Sequence, residues 1–545
     1  MKTSAGFDLL AALAVLSLNG AAGEKKNLHP VVKIGEMGTA EGTYGHTAWT
    51  NRKYQKFIDI PYGSTSYEGR FLPPKPPEPF DETYNAYTSD VPCPSLKNLD
   101  DILSYGDLVD YEDCLHLTIS TPNRSASLPV MVYLAGYDLD DTENEDAEPD
   151  YLLEKDIVLV SVQYRGGPFG FLSTLGDEMP GNVGVMDVIL ALQFINKMIK
   201  YFGGDEKRVT LFGQYKNAAL VHILTMTPFV EKDALFQRVI YQSGSALMSG
   251  LTTRDPAKYV KEMGKHIGCK DYEDIAAVTK CLKTCEVASI LYAYRDMKRE
   301  HGNIPWFSIG GPVKVLPDEP RVLLEKGTFY PYPAMGGVVK HAAMGTGQLD
   351  NTEKIYHNFI EEFEKSLQKC AKNDQQRAIM SKEFPSKVFS RTMLTAIWPG
   401  VVDLHSLDVK ESTSTALVYN SNKENSYLYA FNYLGQFNRL QKSIDEDVAD
   451  VSLTDDNLYL FPFRPGAGSL SKDDSHMAKI MVDLWTSFAC DGVPDSPLII
   501  GKWSPMIKGK VGPYMKLDTV PEVGFYYPDE FFTSVLDTRQ GFTLD

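Results

Sequence analysis

Apolar and polar positions alternate in blocks through the first half of the chain. Leu115–Ser120, Pro129–Leu134 and Ile157–Val162 are short β-rich runs bounded by turn residues, which predicts strands. Between Val185 and Tyr201, Ile189, Leu190, Leu192, Phe194, Ile195 and Ile199 recur mostly at helical spacing and predict an amphipathic helix. Val209–Phe212 predicts the next strand, Ala218–Met226 the helix after it, and Phe236–Gln242 a further strand. Tyr427–Tyr433 returns to the strand pattern, and His476–Ala489 predicts the final helix. The stretch from Asp255 to about Phe389 is richer in helix and charge and reads as an inserted helical cap. Strand–helix alternation of this kind predicts an α/β architecture, a central mostly parallel sheet with helices on both faces. No internal repeat or low-complexity linker interrupts it, so residues 24–545 read as one domain.

Composition narrows the function classes. Across 545 residues, 43% are hydrophobic and 11% aromatic, enough to fill a large core and unlike a disordered chain. A net charge of -18 argues against nucleic acid and against docking on an anionic membrane surface. Residues 1–23 carry Lys2, the apolar run Leu9–Leu18 and the small residues Gly20–Gly23, the pattern of a secretory signal peptide. That run is too short to span a bilayer, no later segment is apolar for long enough, and the C-terminus carries no anchor signal. The expectation is a secreted, soluble protein.

Seven cysteines suit that compartment. Cys93 and Cys114 would close one loop and Cys269 and Cys281 a tighter one, leaving Cys285, Cys370 and Cys490 unassigned. Asn123-Arg124-Ser125 is a glycosylation acceptor in a predicted turn. Asp138–Asp150 holds eight acids in thirteen residues, which reads as a solvated loop or, alternatively, a surface for a cation or basic partner. It lacks calcium-loop spacing, no Cys/His spacing suggests zinc, and no phosphate loop is present, so no metal or cofactor is expected.

Candidate chemistry centres on Val209–Ala219, a strand that turns at Gly213 into a helix. Such a turn is where a G-x-S-x-G elbow presents a nucleophilic serine. Here Tyr215 takes the middle position and Asn217 that of the second glycine. The surrounding motifs are ordered. Ile60-Pro61-Tyr62 with Arg70-Phe71, Glu112–Pro122, Gln163–Thr174, Gly181–Asp187, Phe202–Asp205, Val209–Gly213, Gln242–Ser245 and Leu484–Ala489 follow one another along the chain. Together they resemble the type-B carboxylesterase and cholinesterase family over nearly the whole chain after the leader. The resemblance implies an α/β-hydrolase fold with a gorge leading to the elbow, and it supports the pairings Cys93–Cys114 and Cys269–Cys281.

The family's chemistry needs a serine, a histidine that activates it, a carboxylate that orients the histidine, and amides that hold the oxyanion. Aligned by motif, the serine falls on Tyr215, the histidine on Leu453 and the acid on Ala342, beside His341. The glycine-rich oxyanion tract reads Ala135-Gly136-Tyr137-Asp138, and Lys216 replaces the small residue after the nucleophile. Asp138 brings negative charge towards a site that should stabilise an anion, whereas Asn217 tolerates a left-handed turn. Ser243, Ser245, His222 and His476 read as structural or surface residues rather than substitutes. The pattern resembles the non-catalytic, glutactin- and neurotactin-like branch, which implies an extracellular protein-binding or adhesion role. The alternatives are a carrier of an apolar small molecule in the former gorge, with Tyr137, Tyr215 and Leu453 lining it, and a weak, unconventional ester hydrolase.

Overall fold

The computed structural model describes residues 29–340, 425–437, 451–462, 470–507 and 512–525, apart from 66–68, 89–90, 106–108, 137, 143–146, 249, 302–303 and 452. The expected leader at 1–23, together with Tyr137, His341, Ala342 and Cys370, lies outside the described residues.

Eleven strands form the main sheet. Numbered in chain order they are β1 (Thr43–His46), β2 (Lys53–Pro61), β3 (His116–Thr121), β4 (Leu128–Leu134), β5 (Val158–Val162), β6 (Gly204–Gln214), β7 (Arg238–Gln242), β8 (Ala334–Val339), β9 (Ser426–Phe431), β10 (Tyr514–Leu517) and β11 (Glu522–Gly524). They lie side by side as β11-β10-β9-β8-β7-β6-β4-β5-β3-β2-β1. Every pairing from β10 across to β5 is parallel, and those at the two ends are antiparallel.

The apolar runs are the cause of this layering. A parallel strand covered on both faces must be apolar at successive positions, not alternate ones. In β4, Val130, Val132 and Leu134 enter the core on one face, while Met131 and Tyr133 enter the core on the other. The helices α1 (Val183–Met198) and α2 (Lys216–Leu224) cover the first face. The long C-terminal helix α6 (Lys472–Asp491) covers the second with Ile480, Met481, Leu484, Trp485 and Phe488. Each such side chain removed from water contributes about 1.5–3 kcal/mol.

Two helix starts differ from the apolar pattern. The last helix begins at Lys472 rather than His476, because Ser471 Oγ caps the Asp474 N–H at 3.0 Å and the acidic first turn suits a helix N-terminus. The helix after β6 begins at Lys216 rather than Ala218, since Lys216 and Asn217 are polar yet buried and apolar spacing does not register them.

A helical layer follows β7, with α3 (Ala257–Ile267), α4 (Ile275–Thr284) and α5 (Val287–His301). The expected insertion over 255–389 is too long, because Ala334–Val339 is already a strand of the main sheet, paired with β7 and β9. The part at 341–389 lies outside the described residues. Both expected disulfides, Cys93–Cys114 and Cys269–Cys281, are formed. Cys285 and Cys490 are half-buried free thiols. Among the described residues no helix is long and apolar enough to cross a membrane.

Several sequence motifs resolve into buried ion pairs. Arg70 grips Glu112 through Nε at 2.8 Å and 2.9 Å and reaches Leu282 O at 2.9 Å, tying β-sheet loops to the helical layer. Arg165 grips Asp187 at 2.7 Å and 2.8 Å, joining the turn after β5 to α1. Bidentate arginine–carboxylate pairs fix geometry as well as charge. These motifs build the frame that holds the elbow.

Candidate functional site

β6 ends at Gln214 and α2 begins at Lys216, so one residue makes the whole turn. Tyr215 does so with φ 53 and ψ -117. A bulky residue there is strained, of the order of 1–3 kcal/mol, and persists only when its surroundings hold it. Those surroundings are present. The Tyr215 N–H donates to Gln242 O at 2.7 Å, and the Tyr215 carbonyl accepts from Ala219 N–H at 3.2 Å. A Cβ on Gly244 would stand 2.0 Å from the Tyr215 carbonyl oxygen, so only glycine fits behind the turn. The elbow is therefore intact with a phenol at its apex.

The positive-φ backbone falls on Tyr215, so the tolerance of Asn217 for that conformation is not called upon. Asn217 is buried in the first turn of α2 and works through its side chain. Its Nδ2 donates to Ala135 O at 2.7 Å and Gly136 O at 2.8 Å, and its Oδ1 accepts from the Tyr164 hydroxyl. An amide in place of a glycine thus fastens the elbow to the loop after β4. Gly136 has φ 76, and a Cβ there would meet Asp141 O at 1.9 Å, so this loop also needs its glycine.

Lys216 and Asp138, two separate departures from the family pattern, meet each other. Lys216 Nζ lies 3.0 Å and 3.2 Å from the Asp138 carboxylate oxygens, with side chains 9% and 18% exposed. The ammonium is also 5.8 Å from the centre of the Tyr215 ring. A second pair stands alongside. Lys298 of α5 contacts Asp140 at 2.6 Å, and the Trp306 indole N–H donates to Asp140 at 2.8 Å. Burial alone would lower the Lys216 pKa, but Asp138, Tyr215 and Asp140 push it above the ordinary lysine range. Burial raises the Asp138 carboxyl, Asp140 adds to the rise, and Lys216 and Lys298 offset only part of it. Burial also acts to raise Asp140, yet Lys298 and Lys216 outweigh it and leave that carboxyl below its usual range. The loop after β4 holds two carboxylates, each with its own ammonium. Asp138 is thus neutralised in place, which its sequence position alone did not show.

The segment after Leu453 is held as firmly as the elbow. Leu453 is buried, Thr454 has φ 77, and a short 3-10 turn Asp455–Tyr459 follows. Buried Asp456 accepts from Gln214 Nε2 at 2.5 Å, Gln242 Nε2 at 3.2 Å and the Tyr429 hydroxyl at 3.0 Å. These bonds stitch the segment to the ends of β6 and β7, one residue from Tyr215. Leu453 lies two residues before this anchored turn, and leucine has no atom that can accept a proton.

The other nucleophile and base candidates are structural. The Ser243 hydroxyl accepts from Val339 N–H at 3.4 Å, and the Ser245 hydroxyl from Leu247 N–H at 3.2 Å. His222 Nδ1 accepts from Ala246 N–H at 3.2 Å, and burial pulls its pKa down to about 3, so it is neutral at physiological pH. His476 is exposed on the first turn of α6.

The acidic run is not a uniformly solvated loop. Besides Asp138 and Asp140, Glu148 pairs with Lys56 at 2.9 Å, Asp141 lies 3.9 Å from Lys97, and Asp150 accepts from the Tyr54 hydroxyl at 2.6 Å. Residues 143–146 of the run are outside the described residues. A charge run read along a sequence shows the acids but not the distant cations that face them. Lys298 and Trp306, the partners of Asp140, leave no mark in the run for that reason. The one available signal was that Asp138 and Lys216 depart from the family pattern with opposite charge. Asn123 is exposed in the turn after β3, where its side chain accepts from Ser125 N–H at 2.9 Å.

Comparison with known proteins fits this geometry. The carboxylesterase family model matches residues 29–532. Glutactin of Drosophila melanogaster is 28% identical over 89% of this chain, which spans only 49% of glutactin's length. Neuroligin-3 of Mus musculus is 26% identical over 81% of this chain and 59% of its own. Esterases from insects and mouse match at 26–29% identity. The crystal structure of juvenile hormone esterase from Manduca sexta, with OTFP covalently attached, superposes with a TM-score of 0.77 at 24% identity, covering 93% of this chain and 99% of that one, and shows the α/β-hydrolase fold. With its elbow, its gripped ion pairs and its two disulfides in place, the chain belongs to the carboxylesterase family.

Proposed function

We propose that this protein is a secreted member of the family that no longer hydrolyses esters and binds other proteins outside the cell. The observation that carries the reading is the Lys216–Asp138 pair beside Tyr215. Acyl transfer needs a nucleophile, a base and donors aimed at the developing oxyanion. At this elbow the nucleophile position is a phenol and the base position is Leu453. The ammonium next to the apex is engaged by a carboxylate 3.0 Å away. The acid position, Ala342, lacks a carboxylate in the sequence as well. Losing one triad member leaves a residual rate from the oxyanion hole. Here the hole and the triad are altered together.

The extracellular protein-binding role draws support from the likeness to glutactin and neuroligin-3, the leader-like residues 1–23, the two disulfides and the exposed Asn123, which would carry a glycan. The carrier reading fits less well, because the elbow's neighbourhood holds buried charge that would repel an apolar guest.

Purified full-length protein should show no turnover of p-nitrophenyl acetate above buffer and no labelling by a fluorophosphonate probe. Turnover that disappears in Tyr215→Phe would overturn the inactive reading. Immobilised protein should retain a protease-sensitive component of extracellular fluid. Retention of a solvent-extractable apolar molecule in its place would favour the carrier.

A further inference from the structure

The helical layer α3–α5 brings together a set of side chains that plays no part in the elbow. α3 buries Val260 and Met263, and Gly264 lets α4 approach so closely that a Cβ would meet Val278 at 2.1 Å. That packing turns Glu262 and His266, four residues apart and so on one helical face, away from the core towards the end of α5. Glu300 and His301 close α5 there. His301 Nε2 lies 2.5 Å from Glu262 Oε1, and His266 Nε2 lies 3.8 Å from Glu300 Oε2. One ligand atom from each of Glu262, Glu300 and His301 falls within 4.8 Å of the others. His266 Nε2, 3.8 Å from Glu300, stands beside this trio as a further nitrogen donor.

We infer that Glu262, His266, Glu300 and His301 form a surface binding site for a single divalent transition-metal ion of the zinc class. Two imidazole nitrogens and two carboxylate oxygens are a complete tetrahedral set for zinc, which is held at about 2.0–2.2 Å by such atoms. Calcium and magnesium prefer all-oxygen shells, so the nitrogen donors select against them. The side chains keep 24% exposure at Glu262, 20% at His266, 59% at Glu300 and 41% at His301. An ion can therefore enter from solvent while the inner two ligands are held against the helices. The two His–Glu contacts among these groups are charged when the imidazole is protonated and weak at this exposure. A zinc ion binds neutral imidazole and would tie α3 to the end of α5. No linear motif announces the site, because its ligands come as two short pairs on helices separated in sequence by α4.

The test uses the full-length protein freed of metal with a chelator and titrated calorimetrically with zinc chloride at neutral pH in a non-coordinating buffer. The expected result is saturable binding of one equivalent with a rise in melting temperature, and no response to calcium or magnesium. His301→Ala and His266→Asn should each weaken binding about ten-fold or more, a loss of about 1.4 kcal/mol or greater. Their metal-free melting curves should match wild type, which separates loss of a ligand from loss of fold. Cys285→Ser and His476→Ala should bind zinc as wild type does. No saturable zinc binding, unchanged affinity in His301→Ala, or loss of binding in Cys285→Ser would each overturn the site.

Discussion

Replacing Lys216 with methionine removes the ammonium but keeps a similar stem, and so isolates the charge beside the elbow. In the wild type that ammonium sits 3.0 Å and 3.2 Å from the two oxygens of Asp138, where the side chains are 9% and 18% exposed. At an effective dielectric of about 20 the gross attraction at this distance is about 5–6 kcal/mol. Desolvation of both groups offsets much of that in the intact pair. In Lys216→Met the offset works the other way, because the carboxylate stays buried and faces Asp140, with Lys298 as the remaining cation among the described residues that acts on it. Removing one partner of a buried pair costs about 3–5 kcal/mol. The residual exposure of Asp138 and the presence of Lys298 place the expectation at the lower end, about 3 kcal/mol. The double variant Lys216→Met/Asp138→Asn removes both charges and should recover most of the loss, giving a coupling of about 2 kcal/mol. Urea unfolding followed by tryptophan fluorescence reads this directly, with Trp306 bonded to Asp140 as a local reporter. Acid provides an independent arm. The Asp138 carboxyl is already raised in the folded state, first by burial. Loss of Lys216 raises it further, so the penalty is present at neutral pH and fades as falling pH protonates it. A Lys216→Met protein within about 0.5 kcal/mol of wild type, or strictly additive single effects, would refute the assignment of this pair as a coupled buried unit.

Three further outcomes follow from the same geometry. Restoring Tyr215→Ser, Leu453→His and Ala342→Glu together should give no ester turnover until Lys216→Ala and Asp138→Gly are added. Strong turnover of p-nitrophenyl acetate from the three alone would show that the pair does not obstruct the oxyanion hole. Gly244→Ala would place a Cβ 2.0 Å from the Tyr215 carbonyl. It should lower stability by about 1–3 kcal/mol or more, read as a drop in unfolding midpoint; an unchanged midpoint would mean that the turn yields. His222, whose pKa burial lowers from 6.5 to about 3, contributes stability above its unfolded value and loses it as pH falls towards 3. That loss approaches about 1.4 kcal/mol per pH unit, and the wild-type stability curve should flatten over this range in His222→Gln.

The fold was legible because central parallel strands must be apolar on both faces. Runs such as Pro129–Leu134 cannot sit anywhere else in a protein of this class. The buried pairs Arg70–Glu112 and Arg165–Asp187 were visible only as family motifs, whose structural role as ion pairs between distant segments the sequence did not show. The elbow at Tyr215 could be found because its strand and helix are apolar, while the bonds from Asp456 to Gln214 and Gln242 that tie it to the segment after Leu453 leave no mark in the sequence. What stayed hidden were long-range partners. Nothing near Asp140 in sequence points to Lys298, and nothing near Glu262 points to His301. Helix starts at Lys216 and Lys472 were hidden too, since caps and buried polar side chains leave no trace in an apolar period.

The meeting of Lys216 with Asp138 also constrains the history of this chain. Either residue without the other would set a lone charge beside the elbow, and its partner relieves it. Once both are present, reverting either one recreates the stranded charge. The pair thus acts as a ratchet: each single backward step passes through a less stable protein, whereas substitutions on the outer surface remain open to drift or selection.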